Sequence, residues 1–260
     1  MSYQTIVTRQ DEDAYIITLH RPDKRNAVSI QMMDEIIAAL AAAEAEPTAR
    51  AVIITGGAAF FAAGADLNEA LQVKHAAQGV SYFKRWHRLT AAIENLAKPV
   101  VAAIEGYCIT GGLELALACD LRVAGAGSSF AITSAKIGTV AGAGGTQRLP
   151  RIVGIARALD ILFSADPIDA EEAYRIGLIN RLVPKGEALN AARAQIKIYG
   201  QRAPLSLALV KRAVHRGMQM DLASAIEFET YLVTTIYGTE DKQEGISAFL
   251  EKRTPRFTGK

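Results

Sequence analysis

The chain has 260 residues, half of them hydrophobic and 22% charged, with a net charge of +2. This is ordinary globular composition, enough for one large domain or one domain plus a small appendage. The charge is too weak for a nucleic-acid stripe but suits an anionic small molecule. Met1-Ser2-Tyr3-Gln4-Thr5 has no basic segment leading into an apolar run, and no apolar stretch approaches the roughly 18 residues a membrane helix needs. A cytoplasmic protein with no membrane and no nucleic-acid partner is therefore expected. Cys108 and Cys119 have apolar neighbours and no metal-type spacing, which reads as two reduced, buried thiols.

Two β-patterned runs open the chain, Tyr3 to Thr8 and Ala14 to Leu19, around a polar turn. Ser29 can cap a helix whose apolar positions Ile30, Met33, Ile36, Ile37 and Leu40 recur at helical spacing, and Pro47 stops it. Ala51 to Thr55 reads as a buried strand, followed by a Gly/Ala-rich loop to Asp66. A helix is predicted from about Ser81 to Leu96, and a second buried strand from Val100 to Glu105. Gly106 to Gly112 reads as a turn opening a helix over Leu113 to Ala118, with brief strands at Leu121 to Ala124 and Phe130 to Ile132. Past the Gly-rich segment at Gly138 to Gly145, helices are expected near Thr146 to Val153 and Ile155 to Phe163. Asp169 and Glu172 resemble a capping box, Gly177 ends that helix, and Ile179 to Val183 is a last strand. Everything beyond about residue 195 looks helical, with breaks near Pro204, Gly217 and Gly238. Early alternation and late clustering of helices predict an α/β core over residues 1–195 and a helical appendage over 196–260.

Two glycine-centred loops each follow a buried strand: Phe60-Phe-Ala-Ala-Gly-Ala-Asp66 and Gly106-Tyr-Cys-Ile-Thr-Gly-Gly-Leu-Glu114. Small residues let ligand atoms approach unshielded backbone N–H groups. Gly111 and Gly112 also open a helix, where N–H groups are unpaired and negative charge is favoured. Two converging donors would suit a thioester oxygen that gains charge during reaction. The same glycines are equally what tight strand-to-helix turns require.

Phe61-Ala-Ala-Gly-Ala-Asp-Leu67, Gly106 to Asp120 and Gly138-Thr-Val-Ala-Gly-Ala-Gly-Gly-Thr-Gln-Arg-Leu149 resemble, in order and spacing, the signature segments of the enoyl-CoA hydratase/isomerase (crotonase) family. Arg21 to Ala27, Ala173 to Ile179 and Glu244 to Arg253 extend the resemblance nearly end to end. It implies a superhelical core of ββα units with C-terminal helices that pack across subunits in a homotrimer or homohexamer. It also implies an acyl-CoA thioester substrate, with coenzyme A as part of that substrate and no separate cofactor. By position, Ala65 and Gly111 would supply the oxyanion N–H groups. Arg25, Ala27 and the loop Ala63, Gly64, Ala65, Asp66 and Leu67 match the CoA groove, although Asp66 is common in relatives and reads as structural. An N–H near Gly142 would place substrate or water.

Glu114 matches the first of two glutamates with which family hydratases hold and activate water. The second lies just after a proline, four residues downstream of a Phe-Ala strand; here Phe130-Ala-Ile-Thr-Ser134 puts Ser134 in its place and Thr133 in the proline's. A serine can hold a water but does not titrate near neutral pH. The resemblance thus implies an enoyl-CoA hydratase-like lyase with one carboxylate. Double-bond isomerisation, decarboxylation of a malonyl-type CoA, and non-catalytic acyl-CoA binding are its rivals. The Gly142–Gly145 turn lacks a following Gly-Lys-Ser/Thr and is not a nucleotide cradle. No Gly-x-Ser-x-Gly elbow is present, and His20, His75, His87 and His215 are scattered, so each reads as surface or packing and no metal is expected. Tyr82 and Trp86, four apart on one helix, read as core or interface.

Overall fold

The computed structural model describes residues 3–260; Met1 and Ser2, part of the N-terminal stretch considered above for a signal, lie outside them. The chain opens with an antiparallel hairpin of β1 (Ile6–Asp11) and β2 (Ala14–Leu19). Ser29 accepts the Met32 N–H at 3.1 Å and caps α1 (Ile30–Ala45), a contact that typically stabilises a helix by about 1 kcal/mol. Then β3 (Ala51–Thr55) and β4 (Val100–Ile104), both wholly buried runs of small and β-branched residues, form the centre of a sheet covered on both faces. With β6 (Leu121–Gly125) and β9 (Arg181–Val183) they complete a six-stranded sheet in the order β1-β2-β3-β4-β6-β9, parallel from β2 onward.

A smaller sheet runs beside it: β5 (Tyr107–Ile109), β7 (Ser129–Ala131) and β8 (Ile168–Asp169). β5 and β7 are parallel with Cys108 opposite Phe130, and Ala62 bridges Cys108 in the same sense. Each unit therefore gives one strand to each sheet and then a helix. β3 and Ala62 lead to α2 (Leu67–Ala70) and α3 (Ala76–Asn95); β4 and β5 lead to α4 (Gly111–Ala118). β6 and β7 lead to a 3-10 turn (Ser134–Ile137) and α5 (Gly145–Val153). After α6 (Ile155–Ser164), Asp169 caps α7 (Ala170–Arg175) by accepting the Glu172 N–H at 2.8 Å.

Alternate residues of the large sheet face two cores. Val52, Ile54, Val100, Ala102 and Ile104 pack toward α1, α3 and α4, whereas Ala51, Ile53, Val101 and Ala103 meet Ala188, Ala192 and Ile196 of α8 (Ala188–Tyr199). Residue 195 thus lies inside a continuous helix that is part of the core, not at a break. Beyond it α9 (Pro204–Gly217), α10 (Leu222–Ile236) and α11 (Glu240–Leu250) form the helical appendage. Lys211 of α9 moors it: its Nζ reaches Asp120 at 2.9 Å and the Ile93 carbonyl at 2.9 Å, while His215 Nε2 lies 3.0 Å from Asp120 Oδ1. Among the described residues, no helix is long and apolar enough to cross a membrane.

Three elements differ from the sequence expectations. The first strand is shifted to Ile6–Asp11, in the register set by β2. α3 begins at Ala76, five residues earlier than the apolar periodicity, because its first turns are exposed and carry no buried face. Tyr107–Ile109, expected as part of a turn, is a strand whose partners lie in two distant segments, a pairing that local pattern does not encode.

Candidate active site

The loops that follow Ala62, β5 and β7 leave the C-terminal ends of adjacent parallel segments of the small sheet, the usual place for a ligand site in such sheets. They carry Ala63 to Asp66, Thr110 to Gly111, and Thr133 to Ser134, so residues far apart in sequence become neighbours.

Val28 bridges Ala65 in parallel, donating its N–H to the Gly64 carbonyl at 2.8 Å and accepting the Asp66 N–H at 3.0 Å. Bonding through its two neighbours turns the Ala65 N–H to the opposite side, where it has no acceptor within the described residues. The Gly111 N–H, first of α4, likewise has none, as expected at a helix start. The two are close: a β-carbon on Gly111 would lie 3.1 Å from Ala65 N and 2.7 Å from the Trp86 ring, so only glycine fits. The pair is a ready receptor for an oxygen carrying negative charge.

Glu114 lies in the first turn of α4 and is 3% exposed. Its Oε1 accepts two backbone bonds, from Ala143 at 2.7 Å and Gly145 at 2.8 Å, and its Oε2 receives none from the described residues. Burial pushes the carboxyl above its ordinary range; the two N–H groups and the charge of Arg148 oppose that shift but do not overcome it. A carboxyl held at one oxygen, free at the other and easier to protonate than usual is suited to carrying a proton.

Ser134, 4% exposed, opens the 3-10 turn after β7 and makes no hydrogen bond through its side chain to the described residues. It lines a cavity of about 460 Å³ whose walls are Ile132, Val140, Leu159, Leu162 and Phe163. The wall contributed by β7 is therefore apolar with one hydroxyl, not a second carboxylate.

The family model for enoyl-CoA hydratase/isomerase matches residues 9–260. The chain belongs to the enoyl-CoA hydratase/isomerase family. It is 38% identical over 259 residues to a probable enoyl-CoA hydratase of Mycobacterium bovis, covering 99% of each chain. A 2,3-dehydroadipyl-CoA hydratase of Escherichia coli is 38% identical over 257 residues, again with 99% of each covered. Among solved structures, enoyl-CoA hydratase subunit I of Geobacillus kaustophilus superposes with a TM-score of 0.93 at 35% identity, covering 99% of both chains. The crotonase-type spiral expected from the resemblance is the fold observed.

Within this family fold the expected CoA-groove residues separate into two kinds. Arg25 is exposed, with left-handed backbone at φ 49°, and its carbonyl accepts the Ala63 N–H at 3.0 Å; Ala63 and Leu67 are exposed beside it, and Ala27 is half-buried. Asp66 instead faces inward. Its Oδ2 accepts from Arg21 Nη2 at 2.9 Å and its Oδ1 from the Asn68 N–H at 3.0 Å. Burial works to raise its pKa, but the Arg21 hydrogen bond, the Asn68 N–H and the Arg21 charge outweigh it and hold the carboxyl low. Gly142 sits in the turn that holds Glu114, its carbonyl bonded to His87 Nε2 at 2.9 Å and its N–H without an acceptor in the described residues.

Several contributors escaped the sequence reading. Asn26, buried at φ 54°, accepts the Arg21 N–H at 2.9 Å and donates to the Gly56 and Phe61 carbonyls at 3.0 and 3.1 Å, tying the segment from Arg21 to Ala27 to the loop that leads to Ala65. Thr110, immediately before Gly111, has φ 47° and ψ −110°, a conformation costing a β-branched residue about 1–3 kcal/mol. It is held from every side. Its N–H donates to Ala131 at 2.7 Å, its carbonyl accepts the Glu114 N–H at 2.8 Å, and its hydroxyl accepts the Thr133 N–H at 3.0 Å and pairs with the Thr133 hydroxyl at 2.8 Å. No sequence signal marks Thr110, because sequence does not reveal the sign of φ. Cys108 and Cys119 are buried free thiols, and Trp86 and Tyr82 are buried.

Proposed function

We propose that this protein adds water to an enoyl-CoA thioester, or removes it from a 3-hydroxyacyl-CoA, through an enolate. The observation that carries the reading is Glu114, pinned at Oε1 and with Oε2 free of the described residues, on the helix whose first N–H, like that of Ala65, has no acceptor among them. The named activities of the relatives support it.

The thioester oxygen would accept from the Ala65 and Gly111 N–H groups, two donors of the kind whose loss typically costs about 3–4 kcal/mol of transition-state stabilisation each. Water attacks C3 and passes a proton to Glu114 Oε2; the C2–C3 π pair moves through the thioester to the oxygen, giving the enolate. When the carbonyl re-forms, C2 takes that proton back. One carboxylate thus closes the cycle, with the Ser134 hydroxyl and the Gly142 N–H orienting the water. Coenzyme A arrives as part of the substrate, along Arg25, Ala27 and the 63–67 loop. No additional cofactor or metal enters this scheme.

Ser134 supports a second reading. Double-bond isomerisation and decarboxylation need the enolate but no second acid, and both fit the same donors and Glu114. A non-catalytic binder gains nothing from burying a carboxylate there, because burial disfavours its charge. Assembly as a homotrimer or homohexamer is supported by α9 and α10, which have no fully buried residue and expose Val214, Leu222, Ile226 and Tyr231.

The testing experiment is the initial rate of crotonyl-CoA hydration, followed by loss of the enoyl-thioester absorbance. Turnover dependent on enzyme concentration is expected. Absence of hydration of any enoyl-CoA, with isomerised or decarboxylated thioester formed instead, overturns the hydratase reading in favour of the second.

A further inference from the structure

The turn that holds Glu114 is itself held from behind. α3 presents Phe83, Trp86 and His87 at helical spacing, on neighbouring faces of adjacent turns. Trp86 lies under Gly111, and the Phe83 ring is flush against Gly142, where an added β-carbon would fall 2.2 Å from it. His87 completes the contact through Nε2, 2.9 Å from the Gly142 carbonyl. Because the partner is a carbonyl, Nε2 must carry the proton.

The Gly142 carbonyl and the Ala143 N–H belong to one peptide unit, with O and H on opposite edges. Ala143 donates to Glu114 Oε1 at 2.7 Å. The order is therefore imidazole N–H, peptide, carboxylate: two bonds in series through a single polarisable group, each strengthening the other. The next peptide is anchored in parallel, because Arg148 Nη1 donates to the Ala143 carbonyl at 3.0 Å while its Nε pairs with Glu94 at 2.6 Å.

We propose that His87 is a positioning residue for Glu114, acting through the Gly142–Ala143 peptide, so that a solvent-facing imidazole sets the proton affinity of a buried carboxylate. His87 is exposed in a cleft of about 520 Å³ between α3, α5 and α9. The other charged or titratable groups lining that cleft are Glu94 on its own helix, Arg148 and Arg151 from α5, and His215 from α9. Glu94 is engaged by Arg148 and His215 by Asp120, leaving His87 directed at the turn. The His87 N–H polarises the peptide, makes the Ala143 N–H a stronger donor and so favours ionised Glu114; without it Glu114 holds its proton more readily.

The catalytic consequence rests on Glu114 being the proton carrier proposed above, so the test has one arm that needs no turnover. In the first, kcat is measured against pH for the wild type, His87→Ala and His87→Gln. His87→Ala is expected to move the acid limb upward by about half a unit and to lower kcat several-fold, with KM within about twofold. His87→Gln, which keeps a neutral donor, is expected to restore most of the rate. In the second arm, infrared difference titration of each protein against its Glu114→Gln counterpart reads the carboxyl protonation directly. The same upward shift is expected there in His87→Ala. An unmoved carboxyl titration in His87→Ala overturns the tie. A shifted titration in a protein without hydratase activity leaves the tie standing and sinks only the reaction assigned to Glu114.

Discussion

The loops after β5 and β7 leave neighbouring strands in register, Cys108 opposite Phe130, yet they build opposite walls. The β5 wall ends in Gly111 and Glu114, with a Gly111 N–H that has no acceptor among the described residues and a carboxylate fixed by two backbone donors. The β7 wall ends in Ser134, a hydroxyl at the edge of an apolar cavity. The contrast separates what the repeating fold supplies from what single positions supply. Converging loops come with the parallel pairing, whereas the chemistry each wall offers rests on one side chain, titratable only at Glu114. Glu114→Gln tests the first wall and carries the largest expected effect, a loss of about 10²–10⁴ in kcat with affinity for the CoA thioester within a few-fold. The same change should raise Tm at pH 7. The folded-state pKa of Glu114 lies above its ordinary 4.5, so the native protein binds more protons than the unfolded chain between those two values, and stability falls as pH rises through that window. Removing the carboxyl removes this penalty. The Tm gain should shrink toward zero as pH drops below about 4.5, checked by thermal unfolding at pH 4 and pH 7.

Ser134→Glu tests the other wall. If the hydroxyl alone limits hydration, a carboxylate there should raise the crotonyl-CoA rate by about tenfold or more. Ser134 opens a 3-10 turn, where an acidic residue is electrostatically acceptable, but the cavity it lines is shared with Ile132 and Leu162. A fall in rate, with tighter selection for other acyl groups, would show that the cavity has been rebuilt around an apolar substituent and that the walls differ by more than one acid.

How much of this the sequence disclosed follows from what kind of fact each feature is. Strands β2, β3, β4 and β6, the Ser29 and Asp169 caps and the late helices were legible because composition and period are local. The segments resembling the family located Ala65, Gly111, Glu114 and Ser134, and the structure brings the loops bearing them together. Tyr107–Ile109 escaped because three residues between glycine-rich turns become a strand only by meeting Ala62 and Phe130. Arg25 is exposed, whereas Arg21 four residues earlier turns inward to Asp66, a difference that sequence does not show and that Asn26 and the left-handed bends at residues 25 and 26 produce. His87 looked like a surface residue and is one, but its partner is a carbonyl 55 positions away that no pattern links to it.

The smallest effect belongs to the seam between the walls. Thr110 and Thr133 join them through a 2.8 Å bond between hydroxyls and a 3.0 Å bond from the Thr133 N–H. The N–H bond survives any replacement at Thr133 except proline, so Thr133→Val deletes only the bond between hydroxyls while keeping the branched shape. One such bond is worth about 0.5–1.5 kcal/mol, and the Thr110 backbone it helps restrain carries a penalty of similar size. A several-fold fall in kcat is therefore expected, with KM unchanged, because Thr110 aims Gly111 without touching the acyl group. Thr133→Ser, which retains the hydroxyl, should lie close to wild type. Were Thr133→Val and wild type to share the same kcat while Tm fell, the threonine pair would stabilise the joint between the strands and leave the aim of the Gly111 N–H to Trp86 and the helix start alone.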